Sequence, residues 1–302
     1  MDRGSIWWLL EGLDSLARIH VLGAGTPTPT PTRFGSSFAL ELPNGEQLMV
    51  DCGPSATHKL VKVGLWPTNI DYMFFTHHHF DHDIDYPCFL LCRWDQSIGK
   101  ENKLQVFGPP PTEKLTREII GSKGAFAHDW KARIGAPGSQ QVFMNRGGTL
   151  PRTPPEVLAK DIGPGKVYSG DDWEVTAAPA VHVQPFLDSL AYRFDTSAGS
   201  IVFTGDTEPC DSVRDLAKDA DLLLCMCWDE QGRMEQMGEA IGQCGTTAAA
   251  QLAQEAGVKK LALVHIGPNL SEPKVAQRAI KETKNVFDGE IIFTDELMSF
   301  NL

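Results

Sequence analysis

Basic charge is scarce in this 302-residue chain. Lys and Arg number 27 against 39 Asp and Glu, leaving a formal net charge of −12. Nucleic-acid binding rests on cationic contacts to phosphate, so this balance predicts a small-molecule substrate and no nucleic-acid partner. Long apolar runs are also missing. The N-terminal run, Ile6 to Leu10, is too short for a membrane span and is cut short by Glu11 and Asp14. No signal-peptide cleavage pattern follows it, and no membrane contact is expected. The seven cysteines are odd in number and no CxxC pair stands beside another, which argues against a zinc knuckle. They are expected to be small buried groups in a reduced, cytoplasmic setting.

What is present is ordinary for a globular chain with a sizeable core: 42% hydrophobic and 22% charged residues. At the start, Ile6, Leu9, Leu10, Leu13, Leu16 and Ala17 recur at helical spacing. They predict an amphipathic helix over 1–17 with Trp7 and Trp8 on its flanks. Such a helix suits packing on its own domain or exchange with a second copy, giving a homodimer.

Strand-like segments follow, among them "RIHVLG", "SSFALEL", "QLMVD" and "YMFFT", with an Asn-Gly hairpin signal at Asn44–Gly45. A mostly antiparallel first portion is therefore expected. Residues 122–165 are rich in Gly and Pro with little periodicity, and are expected to form an insertion over one face beside the site. A second portion again runs through strands and then helices. The pattern predicts an α/β fold, a single domain over 18–302, with two sheets face to face and helices outside.

The densest chemistry lies in "THHHFDHDIDYP", where four histidines and three aspartates fall between His77 and Asp85. His77, His79, Asp81 and His82 follow an apolar strand in an H-x-H-x-D-H pattern. Side chains two apart in extended chain share a face, so His77 and His79 can converge on one ion. Asp81 and His82 lie where the chain turns, and can point to a second ion. Three further positions end predicted strands: His182, Asp206 and His265. These strand-end segments, with His78, hold six of the nine histidines; His20, His58 and His128 have no such setting.

These motifs, "THHHFDHD", "APAVH", "FTGDT" and "LVHIGPN", resemble those of the metallo-β-lactamase-fold superfamily of metal hydrolases. With "LGAGTPTPTPTRFGSSFALE" and "VDCGPS", the resemblance spans nearly the whole chain. It implies an αββα sandwich of two mixed sheets and one or two Zn2+ ions. His77, His79 and His182 would hold one metal, with Asp81, His82 and His265 on the other. Asp206 would bridge them, Asp51 would orient ligands, and Asp81 and Asp206 would be the catalytic carboxylates. An ion so held lowers the pKa of water to about 7, which implies hydrolysis. His78 has no matching ligand role. Asp85 replaces a usual glycine, leaving Asp83 and Asp85 as extra carboxylates.

Within the superfamily the chain looks most similar to the tRNA 3′-processing and arylsulfatase-like branch. Members that process tRNA carry a Glu and a His that assist the leaving group. The corresponding places here hold Met226 and Gly245, with Asp229 or Glu230 as possible stand-ins. A missing proton donor matters least for a leaving group stable as an anion. Trp228, Phe186 and Trp130, with Trp94, are candidates to line an aromatic-accepting pocket. The resulting expectation is a hydrolytic dehalogenase for a chlorinated aromatic of the chlorothalonil type. Aryl ester, aryl sulfate or phosphodiester hydrolysis is the alternative, and a non-catalytic metal-binding regulator is the alternative of another class.

Overall fold

A computed structural model describes residues 16–98 and 104–302. Nearly all of the helix expected over 1–17 lies outside the described residues, as does any dimer contact it would make. Among the described residues no helix is long and apolar enough to cross a membrane.

Two seven-stranded sheets face each other. The first holds β1 (Arg18–Ala24), β2 (Ser36–Glu41), β3 (Gln47–Val50), β4 (Ile70–Phe74), β5 (Leu104–Gly108), β6 (Val157–Asp161) and β14 (Ser299–Asn301), in the order β14-β1-β2-β3-β4-β5-β6. The second holds β7 (Gly165–Ser169), β8 (Trp173–Pro179), β9 (Leu190–Thr196), β10 (Gly199–Phe203), β11 (Leu222–Met226), β12 (Lys260–Val264) and β13 (Glu290–Phe293), in the order β13-β12-β11-β10-β9-β8-β7. The fold is the αββα sandwich of mixed sheets.

The first sheet is antiparallel only from β14 to β3. From β3 to β6 it is parallel. The hairpin at Asn44–Gly45 reverses the chain tightly, whereas helix α1 (Ala56–Lys62) carries it back across the sheet from β3 to β4. A helical crossover of that length produces a parallel pair.

The sheets meet over an aromatic interior. Phe74 lies edge-on to Phe194 at 5.2 Å and stacks on Phe107 at 5.3 Å. Phe38 contacts Phe203 at 5.3 Å. All five rings are buried, and removing one such ring costs about 3–5 kcal/mol. Buried Ala, Leu and Val of the outer sheet faces pack under α3 (Tyr86–Gln96) and α4 (Thr112–Ile120) on one side. On the other they pack under α7 (Asp211–Leu216), α9 (Thr246–Ala256) and α10 (Pro273–Lys284). A short helix α2 (Phe80–Asp83) precedes α3, and α8 (Gln231–Met237) precedes α9.

Residues 122–165 are more regular than their composition predicts. They form α5 (Ala127–Gly135), α6 (Pro137–Asn145) and the edge strand β6. This segment is anchored to the outer face of the first sheet: the Arg152 guanidinium lies over Trp94 at 3.9 Å and over Phe143 at 4.7 Å, and pairs with Asp95 at 3.0 Å. It is tied to the helices there, and none of its residues belongs to the clusters described below.

Strand direction positions the site. β8, β10, β11 and β12 all run the same way, so their C-terminal ends share one edge. The parallel strands β3 and β4 end against that edge from the other sheet. Leu190 N–H donates to the Thr76 carbonyl at 2.9 Å, and Tyr192 Oη donates to the Phe75 carbonyl at 2.7 Å. These bonds join the two sheets beside the site.

Candidate metal centre

All seven predicted ligands converge at this edge. His77, His79, His182 and Asp206 form one cluster and Asp81, His82 and His265 a second; within each, the donor atoms lie within 4.8 Å of one another. His77 Nε2 is 3.0 Å from His79 Nδ1, which is 3.3 Å from His182 Nε2. His265 Nε2 is 3.2 Å from Asp81 Oδ2. Asp206 lies between the clusters: Oδ2 is 3.8 Å from His182 Nε2 and 3.3 Å from His265 Nε2, and Oδ1 is 3.5 Å from His82 Nε2.

The backbone is bent to achieve this. Asp51 and His265 adopt positive φ, 59° and 53°, a conformation that costs energy for residues with a Cβ. Gly53 lets the chain pass close beneath Asp81: a Cβ there would stand 2.2 Å from the Asp81 carbonyl oxygen.

Hydrogen bonds orient the rings. Asp51 is buried and accepts from His82 Nδ1 at 2.8 Å and from Thr76 N–H at 2.8 Å. Thr76 Oγ1 donates to Asp51 at 2.9 Å, so it is an acceptor for His77 Nδ1 at 3.1 Å. His182 Nδ1 donates to the Gly242 carbonyl at 2.7 Å. With Nδ1 held by these acceptors, Nε2 is the nitrogen that each ring turns to the cluster, and in a neutral ring it presents a lone pair. His82 Nε2 and Asp81 Oδ1 are buried with no hydrogen-bond partner. Lone pairs facing one another in this way require a cation. Donors on one ion at 2.0–2.1 Å in tetrahedral array lie about 3.3 Å apart, and the closest nitrogens here match that spacing.

The electrostatics agree. Burial, together with neighbouring His82, lowers the pKa of His77 well below the usual value, and burial with His182 lowers that of His79, so both rings stay neutral and able to ligate. Burial would also lower His82, but Asp206, Asp51 and Asp81 around it hold it well above its usual value. Burial would raise Asp206, yet His265 and His82 hold it well below the carboxylate range. The second cluster thus draws positive charge even without an ion.

The remaining residues of the motif have structural partners. His78 belongs to neither cluster; its Nδ1 meets Asp83 Oδ2 at 3.1 Å and its Nε2 meets Thr112 Oγ1 at 2.7 Å. Asp85 accepts from Thr57 N–H at 2.7 Å, in the first turn of α1. The extra carboxylates therefore brace the ligand loop and cap a helix.

The aromatic pocket does not form as expected. Trp130 is buried in α5 and donates Nε1–H to the Ile120 carbonyl at 3.0 Å. Phe186 projects outward, 92% exposed. Of these residues Trp228 stands beside a ligand, its ring centroid 6.2 Å from that of His265 at an interplanar angle of 30°. Met226 is buried, and its Sδ accepts from Thr207 N–H at 3.0 Å. Neither suggested stand-in is free. Asp229 accepts from Asn269 Nδ2 at 2.7 Å and pairs with Arg233 at 3.2 Å, while Glu230 is paired with Arg278. Gly242, unforeseen from the sequence, has no motif around it to signal its part.

A sandwich with two His/Asp clusters at one edge defines a metal-dependent hydrolase, and Zn2+ is the cofactor that these clusters bind in this fold. The family model described as "Beta-lactamase superfamily domain" matches residues 46–266, and the chain belongs to that superfamily. It is 28% identical over 294 residues to a ribonuclease Z of Mycobacterium avium (strain 104), covering 93% of this chain and 97% of that protein. Among solved structures it is similar to the metallo-beta-lactamase fold protein YhfI of Bacillus subtilis. That match has a TM-score of 0.72 and 22% identity, with 95% of this chain and 100% of that one covered. It is also similar to the short form of human tRNase Z, with a TM-score of 0.66 and 20% identity over 94% of this chain and 98% of that one.

These relatives overturn two expectations. Dehalogenation of a chlorinated aromatic is not what the ribonuclease Z relatives are named for, and the exclusion of nucleic acid conflicts with them. Two physical reasons underlie the error. Net charge is a whole-chain sum and does not describe one edge of a sandwich. The residues at positions 226 and 245 bear on protonation of a leaving group, not on which electrophile the metals accept.

Proposed function

We propose that this protein is a zinc-dependent phosphodiesterase that cleaves RNA, as the name of its ribonuclease Z relatives states of them. The observation that carries the reading is Asp206, which lies between the clusters: its Oδ2 is 3.8 Å from His182 Nε2 of one and 3.3 Å from His265 Nε2 of the other. Paired metal sites of this kind are suited to in-line displacement at phosphorus.

In this reading His77, His79 and His182 would hold one Zn2+ and Asp81, His82 and His265 the other, with Asp206 available to both. When bound, zinc supplies Lewis acidity at the phosphoryl oxygens and activates water as the nucleophile. The chain's own residues set the stage. Asp51 and the Gly242 carbonyl fix His82 and His182 by holding their Nδ1 protons, keeping each Nε2 lone pair on the cluster. The Trp228 ring lies beside that of His265. Asp81 and Asp206 are the carboxylates that belong to the clusters. With Met226 and Gly245 where proton donors would stand, solvent supplies the proton to the departing oxygen.

The test is cleavage of an RNA carrying a 3′ extension by zinc-loaded protein, with Asp206→Ala as control and bis(p-nitrophenyl) phosphate as a small comparison substrate. Site-specific cleavage lost in the variant is expected. Hydrolysis of the small diester without RNA cleavage would reject the RNA assignment, and hydrolysis of neither would reject phosphodiesterase activity.

A further inference from the structure

Solvent reaches the clusters at the two ligands that are only half-buried, His79 and His182. Exposed apolar side chains stand in the segments that carry those two ligands and the partner of His182. Phe80 and Ile84, on the α2 segment beside His79, are 51% and 55% exposed. Val181 and Phe186, on the loop that carries His182, are 41% and 92% exposed. Ile241 is 83% exposed and adjoins Gly242, the residue that holds His182. A fully exposed Phe beside a buried polar cluster costs hydration free energy with no return from packing within the fold.

The same segments are almost without cations. Residues 74–92, 180–189, 204–212 and 265–272 contain no Lys or Arg. Residues 227–245 contain only Arg233, which pairs with Asp229 at 3.2 Å. Acidic groups do stand there: Asp83, Asp188, Glu208 and Glu239. An RNA meeting these segments finds metal for one phosphate and no unpaired cation for its neighbours, since Arg33 of the adjoining 24–35 loop is buried and paired with Asp295. What the rim does offer is aromatic and aliphatic surface, and every nucleobase has a face to stack on it.

We infer that this rim, with Phe186 as its principal contact, is a platform for unpaired nucleobases beside the scissile bond. The substrate would be RNA that is single-stranded at the cut, held by base stacking and not by its phosphate backbone. This rests on the ribonuclease reading above.

The experiment uses the zinc-loaded full chain and a short single-stranded RNA. Phe186→Ala is expected to raise KM by roughly 5- to 150-fold, the range for one lost base–aromatic stack, with kcat changed less than about twofold. Phe186→Trp should restore KM. An RNA abasic beside the scissile bond should lose the same factor with the wild-type protein and nothing further with Phe186→Ala. KM should vary little with salt, against a slope of about 0.7 per phosphate contact for cation-held single strands. Wild-type KM in Phe186→Ala, with RNA still cleaved, would overturn the inference and leave the ribonuclease reading intact. A steep salt dependence would do the same, as would a change from dimer to monomer in sedimentation at constant KM, which would make a second copy the occupant. Absence of RNA cleavage by the wild-type protein would remove both.

Discussion

His182 Nδ1 donates to the carbonyl oxygen of Gly242 at 2.7 Å, across 60 residues of sequence. Gly242 has φ of +71°, and a Cβ on it would stand 2.2 Å from the His182 carbonyl oxygen. Gly242→Ala must therefore move the loop or the histidine. Zinc affinity is expected to fall about 10- to 100-fold, the usual consequence of disturbing the partner of a ligating histidine. Zinc titration of the purified variant checks this; wild-type affinity would show that His182 is held by other means.

Asp206→Ala and His79→Ala each remove a donor from the cluster. Turnover should drop by more than the roughly hundredfold loss that follows from altering a supporting partner. Circular dichroism should remain that of the wild type, because neither side chain belongs to the aromatic core. Retained turnover in either variant would refute the ligand assignment. Zinc binding without turnover in the unaltered protein would favour a metal-binding regulator.

Removing the metal should destabilise the protein. Without an ion, the lone pairs of His77, His79 and His182 are left facing one another within 3.0–3.3 Å. A ligand at a thousandfold excess over its Kd stabilises the native state by about 4 kcal/mol. The melting temperature is expected to fall on dialysis against a chelator and to recover on adding Zn2+. A melting curve indifferent to both treatments would mean that no ion is bound.

His20 offers a pH test away from the metals. It is buried between strands, with Nε2 2.7 Å from Glu41 and Nδ1 2.7 Å from Ser299 Oγ. Burial, the largest influence, lowers its pKa below the ordinary 6.5, against the opposing pull of Glu41. The unfolded chain therefore binds this proton more readily than the native state, and stability present above about 6.5 is lost as pH falls below it toward the lower native pKa. Thermal melts at pH 7.5 and 5.5 should differ more for the wild type than for His20→Gln. Equal differences would show that His20 does not contribute to the pH dependence.

Much of the centre was legible because the ligands announce themselves by local pattern. His77, His79, Asp81 and His82 sit within six consecutive residues, and His182, Asp206 and His265 each follow a readable strand. Strands β6, β7 and β14 were not legible. They are edge strands or very short, and their sequences, VLAKD, GKVYS and SFN, show little apolar–polar alternation. The helices of residues 127–145 were hidden by Gly and Pro in the surrounding segment. Trp130 illustrates a limit of composition: a tryptophan near a predicted site looks the same in sequence whether it faces the substrate or, as here, a carbonyl of its own domain.

The sequence by itself determined the class of chemistry, because metal ligation depends on residue type and on spacing along one short loop. It determined the sandwich as well, because alternating apolar strands and helices admit few layered solutions. The tertiary structure alone decided which groups support the ligands and what surrounds the opening. Gly242 on His182, Thr112 on His78, and the apolar rim from Phe80 to Ile241 join residues far apart in the chain. Such pairings are set by how the two sheets and their loops pack, and packing leaves no periodic mark on the sequence.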